Sequence, residues 1–385
     1  MTEKFDKMLD RIHSDSMKWN VYPQDVLPMW VADMDFLSPP EVIEALQNRV
    51  NHGVFGYAMN PKMLDEVVIQ WAGAHYDLQI STENILYVPG VVTGINLSAR
   101  ALLNQGEGIL YQPPIYPPFF QVASNGGFED HPVDLVQNSD GQYAIDGNRL
   151  EDGIHPNTRM FLLCNPHNPV GRVFTRSELE MIAEICKRYD LFICSDEIHC
   201  DLTYEPAHHT PILSLGDAVA ERTVMLFAPS KTFNIAGLGF SVMVIKDPDL
   251  MQHVKQQLAG IIPHPDLLAA QAACAAYQYG GDWLNDLIVY LQGNRDFMVD
   301  FISAEMSEIS VNKPEGTFLA WLDCRKTSFA DDPYSFFLNN AKVGLNNGLD
   351  FGQAGRGFVR LNFACPRSLL AEGLQRMRKA TLSFK

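Results

Sequence analysis

The sequence has few basic residues and no long apolar run. Lys and Arg number 29 against 46 Asp and Glu, which gives a net charge of −17. Nucleic acids and anionic membrane surfaces attract clustered basic side chains, so this charge argues against both partners. The longest unbroken apolar run covers residues 272–277, far short of the roughly 18 residues that a membrane-spanning helix needs. The charged first 15 residues predict neither a signal peptide nor an anchor.

The sequence also has no Cys-x-x-Cys pair among its seven cysteines. Most of them lie in apolar segments, and an odd number leaves one thiol over in any pairing scheme, so buried thiols in the cytoplasm are expected. His199, His208 and His209 lie near Asp201 in the sequence, but no spacing matches a zinc site. We therefore expect no metal, and we expect the adjacent pair His208 and His209 to lie on an exposed loop.

Short apolar runs alternate with helical patterns between residues 80 and 250. This alternation is typical of parallel strands joined by crossover helices, and so of an α/β fold. A capping box formed by Thr175 and Glu178 predicts the start of one crossover helix. The candidate strands cover residues 109–111, 160–164, 192–195, 224–228 and 240–245.

The character of the sequence changes towards both ends of the chain. A long helical pattern around residues 280–305 is followed by FLAWLDCR and GRGFVRLNF, and helix resumes at Ser368, which predicts a smaller α+β domain. We expect residues 1–45 to form an N-terminal arm and part of the small domain. Residues 46–285 are expected to form the large α/β domain, and residues 286–385 the C-terminal small domain.

Polar residues follow several of the candidate strands, at the sheet edge where open parallel sheets bind ligands. Gly90 and Gly94 border a helix start, whose free N–H groups suit a phosphate. Lys231 follows another strand and is able to form a Schiff base with an aldehyde. A carboxylate such as Asp196 keeps a pyridine nitrogen protonated, which makes the ring an electron sink. A phosphate, an aldehyde and a pyridine ring together describe pyridoxal 5′-phosphate (PLP).

Three motifs in order, NPHNPVG, SDEIH and APSKTFNIAGL, resemble those of the fold-type-I PLP-dependent enzymes of the aminotransferase superfamily. The resemblance covers nearly the whole chain. It implies the aspartate aminotransferase-like PLP-dependent transferase fold, with a mostly parallel seven-stranded sheet, helices on both faces and a smaller α+β domain. The stretches 28–36, 196–202 and 230–238 look most like the cystathionine β-lyase or C–S lyase branch.

The resemblance also implies a role for individual residues. Lys231 would carry the Schiff base and take the Cα proton, with Asp196 at the pyridine nitrogen and Tyr116 stacked on the ring. Arg360 would bind the substrate carboxylate, and Tyr57 would reach the phosphate from the other subunit of a homodimer. The cofactor-binding set implied is Tyr57, Val92, Thr93, Tyr116, Asn168, Asp196, His199, Ser230 and Lys231, and the substrate-binding set is Asn168 and Arg360.

Some residues depart from the superfamily pattern, and some have a structural alternative. Ala228 and Gly239 stand where many members have a serine and an arginine that serve the phosphate. His199 replaces a common tyrosine beside the ring's 3-oxygen, which fits the lyase branch. Simple packing is the alternative for Tyr116, and a buried ion pair is the alternative for Arg360.

The activity implied is α,β-elimination of L-cystathionine or related L-cysteine S-conjugates to a thiol, pyruvate and ammonia. An amino-acid aminotransferase is the first alternative, because the same residues serve both reactions. A PLP-binding regulatory protein is the second alternative. The partners implied are a small amino-acid substrate and a second copy of the chain.

Overall fold

The computed structural model describes residues 2–384, so Met1 and Lys385, the ends of the predicted first and last segments, lie outside it. The α-helices are α1 (Met17–Asn20), α2 (Pro40–Asn51), α3 (Leu64–Tyr76), α4 (Val91–Leu102), α5 (Pro118–Gly126), α6 (Gly147–Asp152), α7 (Arg176–Arg188), α8 (Asp217–Ala220), α9 (Pro229–Thr232), α10 (Pro248–Leu258), α11 (Leu267–Tyr279), α12 (Gly281–Glu305), α13 (Pro333–Phe336) and α14 (Arg367–Ser383). The strands are β1 (Leu27–Pro28), β2 (Ile85–Val88), β3 (Gly108–Tyr111), β4 (Glu129–Pro132), β5 (Val136–Gln137), β6 (Tyr143–Ala144), β7 (Thr158–Cys164), β8 (Phe192–Asp196), β9 (Thr223–Phe227), β10 (Ser241–Val244), β11 (Ser310–Val311), β12 (Leu319–Asp323), β13 (Val343–Gly344), β14 (Asn346–Asn347) and β15 (Phe358–Asn362).

The largest sheet has seven strands in the order β2-β10-β9-β8-β7-β3-β4. Neighbours from β9 to β4 pair in parallel, which confirms the mostly parallel sheet. β10 is antiparallel to both β9 and β2, so the inclusion of residues 240–245 among parallel strands was wrong. The chain between β9 and β10 contains only short helical turns, and a parallel return needs a full crossover connection.

Both faces of this sheet are covered, which explains the continuous apolar runs of its strands. Side chains alternate along β7: Phe161 and Leu163 point into one hydrophobic core, while Met160 and Leu162 point into the other. The α7 helix begins after the predicted capping box, in which the Thr175 hydroxyl accepts from the Glu178 N–H and the Glu178 carboxylate accepts from the Thr175 N–H.

A second, four-stranded sheet has the order β11-β12-β15-β14, and its pairs are antiparallel. The FLAWLDCR segment contains β12 and the GFVRLNF segment contains β15. The N-terminal segment packs on this part of the chain, since β1 pairs with β13. The boundaries at residues 46 and 286 stay a prediction. No helix within residues 2–384 combines the length and apolarity of a membrane span.

Candidate active site

The carboxyl ends of β3, β7, β8 and β9 meet at one edge of the seven-stranded sheet because these strands run in parallel. The segments that follow them, with the start of α4 after β2, enclose a cavity of about 240 Å³. Eight of the ten residues selected from the sequence line it: Val92, Thr93, Tyr116, Asn168, Asp196, His199, Ser230 and Lys231. Arg360 contacts one of these residues directly, and Tyr57 does not reach the cavity.

Lys231 lies in the one-turn helix α9 directly after β9. Its Nζ lines the cavity and donates a hydrogen bond to the Ala32 carbonyl oxygen at 2.6 Å. The pKa of Lys231 is lowered to about 8, chiefly by burial, with the charge of Arg360 acting in the same direction and Asp33 and Asp196 opposing the shift. A substantial neutral fraction near pH 8 makes this amine a nucleophile and a base.

Asp196 ends β8, and its side chain is almost fully buried. The hydrogen bond that its carboxylate accepts within the described chain comes from the Ile198 N–H at 3.1 Å. Burial raises the pKa of Asp196 to about 7. A buried carboxylate with so little compensation favours a cationic partner in the cavity.

Arg360 and Asn168 form a pair beside the cavity. Nη1 of Arg360 donates to Oδ1 of Asn168 at 2.9 Å, which leaves the Asn168 amide NH₂ as the free donor. Nη2 donates to Oδ1 of Asn346 at 2.6 Å and to the Trp30 carbonyl oxygen at 3.1 Å. The buried Nε has no partner among the described residues. A fixed guanidinium with an unused donor is suited to a carboxylate ligand.

His199 is a buried, neutral donor or acceptor in the cavity wall. Burial, with the positive charges of Lys231 and Arg360, holds its pKa well below the usual range. Its Nδ1 has no hydrogen-bond partner among the described residues. An unpartnered buried ring nitrogen that lines a cavity is available to a polar ligand atom.

The start of α4 supplies free backbone N–H groups near Val92 and Thr93. Gly94 allows this helix to pack closely, because a Cβ there would lie 2.5 Å from Cδ2 of Leu226. Ser230 lines the same cavity. Gly239 also lines it, with a φ of +59° that favours glycine. A phosphate here would meet N–H groups and hydroxyls.

The carbonyl group of Ala32 at the site was not predicted from the sequence, and His209, outside the cavity, was predicted wrongly. The carbonyl of Ala32, which holds Nζ of Lys231, belongs to a backbone group that residue type does not reveal. The prediction of an exposed histidine pair was wrong for His209, since its Nε2 lies 2.7 Å from Oε2 of the buried Glu197. Only His208 of the pair is exposed. Tyr57 is fully exposed, and its role in a second subunit stays a prediction.

A sequence model of the family described as aminotransferase class I and II matches residues 24–377. The chain belongs to this family. Cystathionine beta-lyase PatB of Bacillus subtilis (strain 168) is 37% identical over an alignment of 390 positions, which covers 98% of this chain and 99% of that protein. These matches confirm the aminotransferase superfamily and its C–S lyase branch.

Two solved structures have the same fold as this chain. OvoB aligns with a TM-score of 0.94 and 42% identity, covering 98% of this chain and 99% of that one. Cystalysin from Treponema denticola, whose crystal structure contains PLP, aligns with a TM-score of 0.94 and 33% identity over 99% of both chains. The predicted fold class is therefore confirmed.

Proposed function

We propose that this member of the family is a PLP-dependent C–S lyase that eliminates a thiol from L-cystathionine or related L-cysteine S-conjugates. The observation that carries the proposal is the convergence of Lys231, Asp196 and the Arg360–Asn168 pair around one cavity. Two similar proteins support it: PatB, which is named a cystathionine beta-lyase, and cystalysin, whose crystal structure contains PLP.

The cavity residues fit PLP on grounds independent of those relatives. Asp196 lacks a cationic partner, which a protonated pyridine nitrogen would supply. His199 and Asn168 each present a free nitrogen that suits the ring's 3-oxygen. The α4 start and Ser230 suit the phosphate, and Tyr116 suits the ring face. Lys231 would hold PLP until the substrate's amino group takes its place, which would free Nζ to act as a base, and PLP would then supply an electron sink for the negative charge formed at the substrate Cα.

The chain's residues then have distinct tasks in the elimination. Arg360 holds the substrate carboxylate, and Nζ of Lys231 takes the proton from Cα. The electron pair of that bond forms the Cα–Cβ double bond, and the pair of the Cβ–S bond leaves with sulfur as a thiolate. Water hydrolyses the remaining unsaturated amino acid to pyruvate and ammonia.

The proposed activity is tested with cystathionine in the absence of any keto acid. We expect many equivalents of pyruvate and free thiol per active site. A single turnover, with further reaction only after a keto acid is added, would show that the protein is an aminotransferase and contradict the proposed lyase activity. Bound PLP without turnover of cystathionine, cysteine or other S-conjugates would favour the regulatory alternative.

The proposed role of Arg360 predicts weaker substrate binding when its guanidinium group is replaced. We expect Arg360→Lys to raise KM for the amino-acid substrate roughly 10- to 100-fold, because a charge-assisted hydrogen bond contributes about 1.5–3 kcal/mol. Steady-state kinetics measure this change. Arg367→Lys is the matched control, since Arg367 binds Asn294 and does not line the cavity. Equal KM values for wild type and Arg360→Lys would contradict the assignment.

We also propose a cytoplasmic homodimer in which Tyr57 of one subunit completes the phosphate site of the other. Support comes from the exposed side chain of Tyr57 and from the exposed apolar side chains near it in the sequence, Val54, Phe55 and Met59. An apolar surface segment of this kind is typical of an interface. Free cysteines, six of them buried, are consistent with a reducing compartment.

A further inference from the structure

Asp201 connects the segment that carries Lys231 to helix α3. Its Oδ2 accepts a hydrogen bond from the Thr232 hydroxyl at 2.6 Å. Its Oδ1 accepts from Nε1 of Trp71 at 2.9 Å and from the Tyr76 hydroxyl. Three donors from two segments thus share one carboxylate, and Thr232 is the residue next to Lys231.

The bonds to Asp201 lie in a largely buried aromatic environment. Thr232 is fully buried and Trp71 is 5% exposed, so a lost partner would not be replaced by bulk water. Burial raises the pKa of Tyr76 well above its usual range, and the Asp201 charge adds to the shift, so Tyr76 stays a hydrogen-bond donor. Trp71 also packs edge-on against Phe233, with ring centroids 5.6 Å apart.

Helix α9 has little internal support of its own. It spans four residues and is closed by the bond from the Phe233 N–H to the Pro229 carbonyl oxygen. Thr232, the last residue of α9, is held by Asp201, and Phe233, the next residue, packs against Trp71 of α3. Lys231 directly precedes Thr232 in the chain and lines the cavity.

We propose that Asp201 is a positioning residue, which acts through Thr232 to hold Nζ of Lys231 where it can remove the substrate's Cα proton. This inference depends on the proposed function of Lys231. Displacement of a reacting group by about 1 Å costs on the order of 100-fold in rate. Loss of the hydrogen bond between Thr232 and Asp201 is therefore expected to lower the rate of proton transfer (kcat) and to leave the affinity for the substrate (KM) nearly unchanged.

The test compares Thr232→Val, which removes the hydroxyl, with Thr232→Ser, which keeps it. We expect Thr232→Val and Asp201→Asn to lower kcat roughly 10- to 100-fold with KM unchanged. The kinetic isotope effect from Cα-deuterated substrate should rise, because proton transfer becomes more rate-limiting. Thr232→Ser should restore the wild-type values. All rates are expressed per bound PLP, which removes differences in cofactor content.

A second measurement uses the protein without cofactor. Trace acetic anhydride labels lysines according to their neutral fraction and accessibility, and mass spectrometry compares Lys231 with exposed Lys326. We expect Thr232→Val to change the relative labelling of Lys231 at least 3-fold, whereas Thr232→Ser leaves it unchanged. Thr223→Val is the matched control, since buried Thr223 donates to the Val219 carbonyl oxygen at the opposite end of β9.

A purely structural role for Asp201 predicts different results. Thr232→Val would then lower the melting temperature as Thr223→Val does, with wild-type isotope effect, kcat per PLP and Lys231 labelling. That set of results would overturn the inference. It would leave the proposed function intact, because that function is tested separately, by turnover of cystathionine without a keto acid and by the loss of turnover in Lys231→Ala.

Discussion

Replacement of Lys231 with alanine is expected to abolish the elimination. We expect kcat to fall at least ~10³-fold, since the variant loses the base for the Cα proton, and positioned bases contribute up to about 10⁴-fold. The cofactor should still bind through the groups that suit its ring and phosphate. Borohydride reduction should add the cofactor's mass to the wild-type chain at Lys231 and add nothing to the variant.

Lys246→Ala is the matched control for this experiment. Lys246 also follows a strand, β10, but that strand runs antiparallel to β9 and ends at the opposite edge of the sheet. We expect this variant to retain wild-type kcat and the borohydride-dependent mass. Wild-type turnover by Lys231→Ala would refute the assignment of the base and, with it, the proposed chemistry.

Polar residues that follow parallel strands could be placed at the cavity from the sequence pattern, whereas Val92, Thr93, Tyr116 and His199 were implied by the resemblance to the family. Asn168, Asp196 and Lys231 are far apart in sequence, but parallel strands bring their carboxyl ends to one edge. The start of α7 could be predicted for a local reason, because its capping box is formed by Thr175 and Glu178, three positions apart. Polar residues at strand ends and helix caps are recognised by residue type and spacing, and both can be determined from the sequence alone.

Other features depend on information that residue type does not carry. The direction of β10 is set by the connection before it, and its apolar pattern is the same in either direction. Ala32 contributes a backbone carbonyl to a lysine 199 positions away. The side chain of His209 is buried beside that of Glu197, although its neighbour His208 is exposed. Asp201 lies inside a motif that the sequence analysis used, yet its partners on α3 became evident only in the fold.

Asp196 connects the chemistry of the site to the stability of the protein without cofactor. Its pKa is about 7 in the folded chain against an ordinary value of 3.8, and the cause is burial of the charged form. A raised carboxyl pKa means that folding is opposed once the group ionises. The penalty grows from pH 4 to pH 7 and is constant above that, at roughly 4 kcal/mol for a difference of this size.

We therefore expect Asp196→Asn to have opposite effects on activity and stability. The neutral amide cannot keep a pyridine nitrogen protonated, so kcat should fall about 100-fold or more, as for loss of a positioned acid or base. The same change removes a buried charge. Without cofactor, the variant should melt several degrees above wild type at pH 8 and close to wild type at pH 4.5, as measured by calorimetry.

Glu197→Gln is the matched control because Glu197 is the next residue and equally buried, but its carboxylate is well compensated. It accepts from the Ser195 hydroxyl at 2.8 Å and the Ile212 N–H at 3.1 Å, with Nε2 of His209 at 2.7 Å. Removal of one charge from such a buried network destabilises a protein. We expect Glu197→Gln to lower the melting temperature at pH 8, opposite in sign to Asp196→Asn. If both variants lowered it equally, Asp196 would be a satisfied structural carboxylate, and its availability to a cationic ring nitrogen would be refuted.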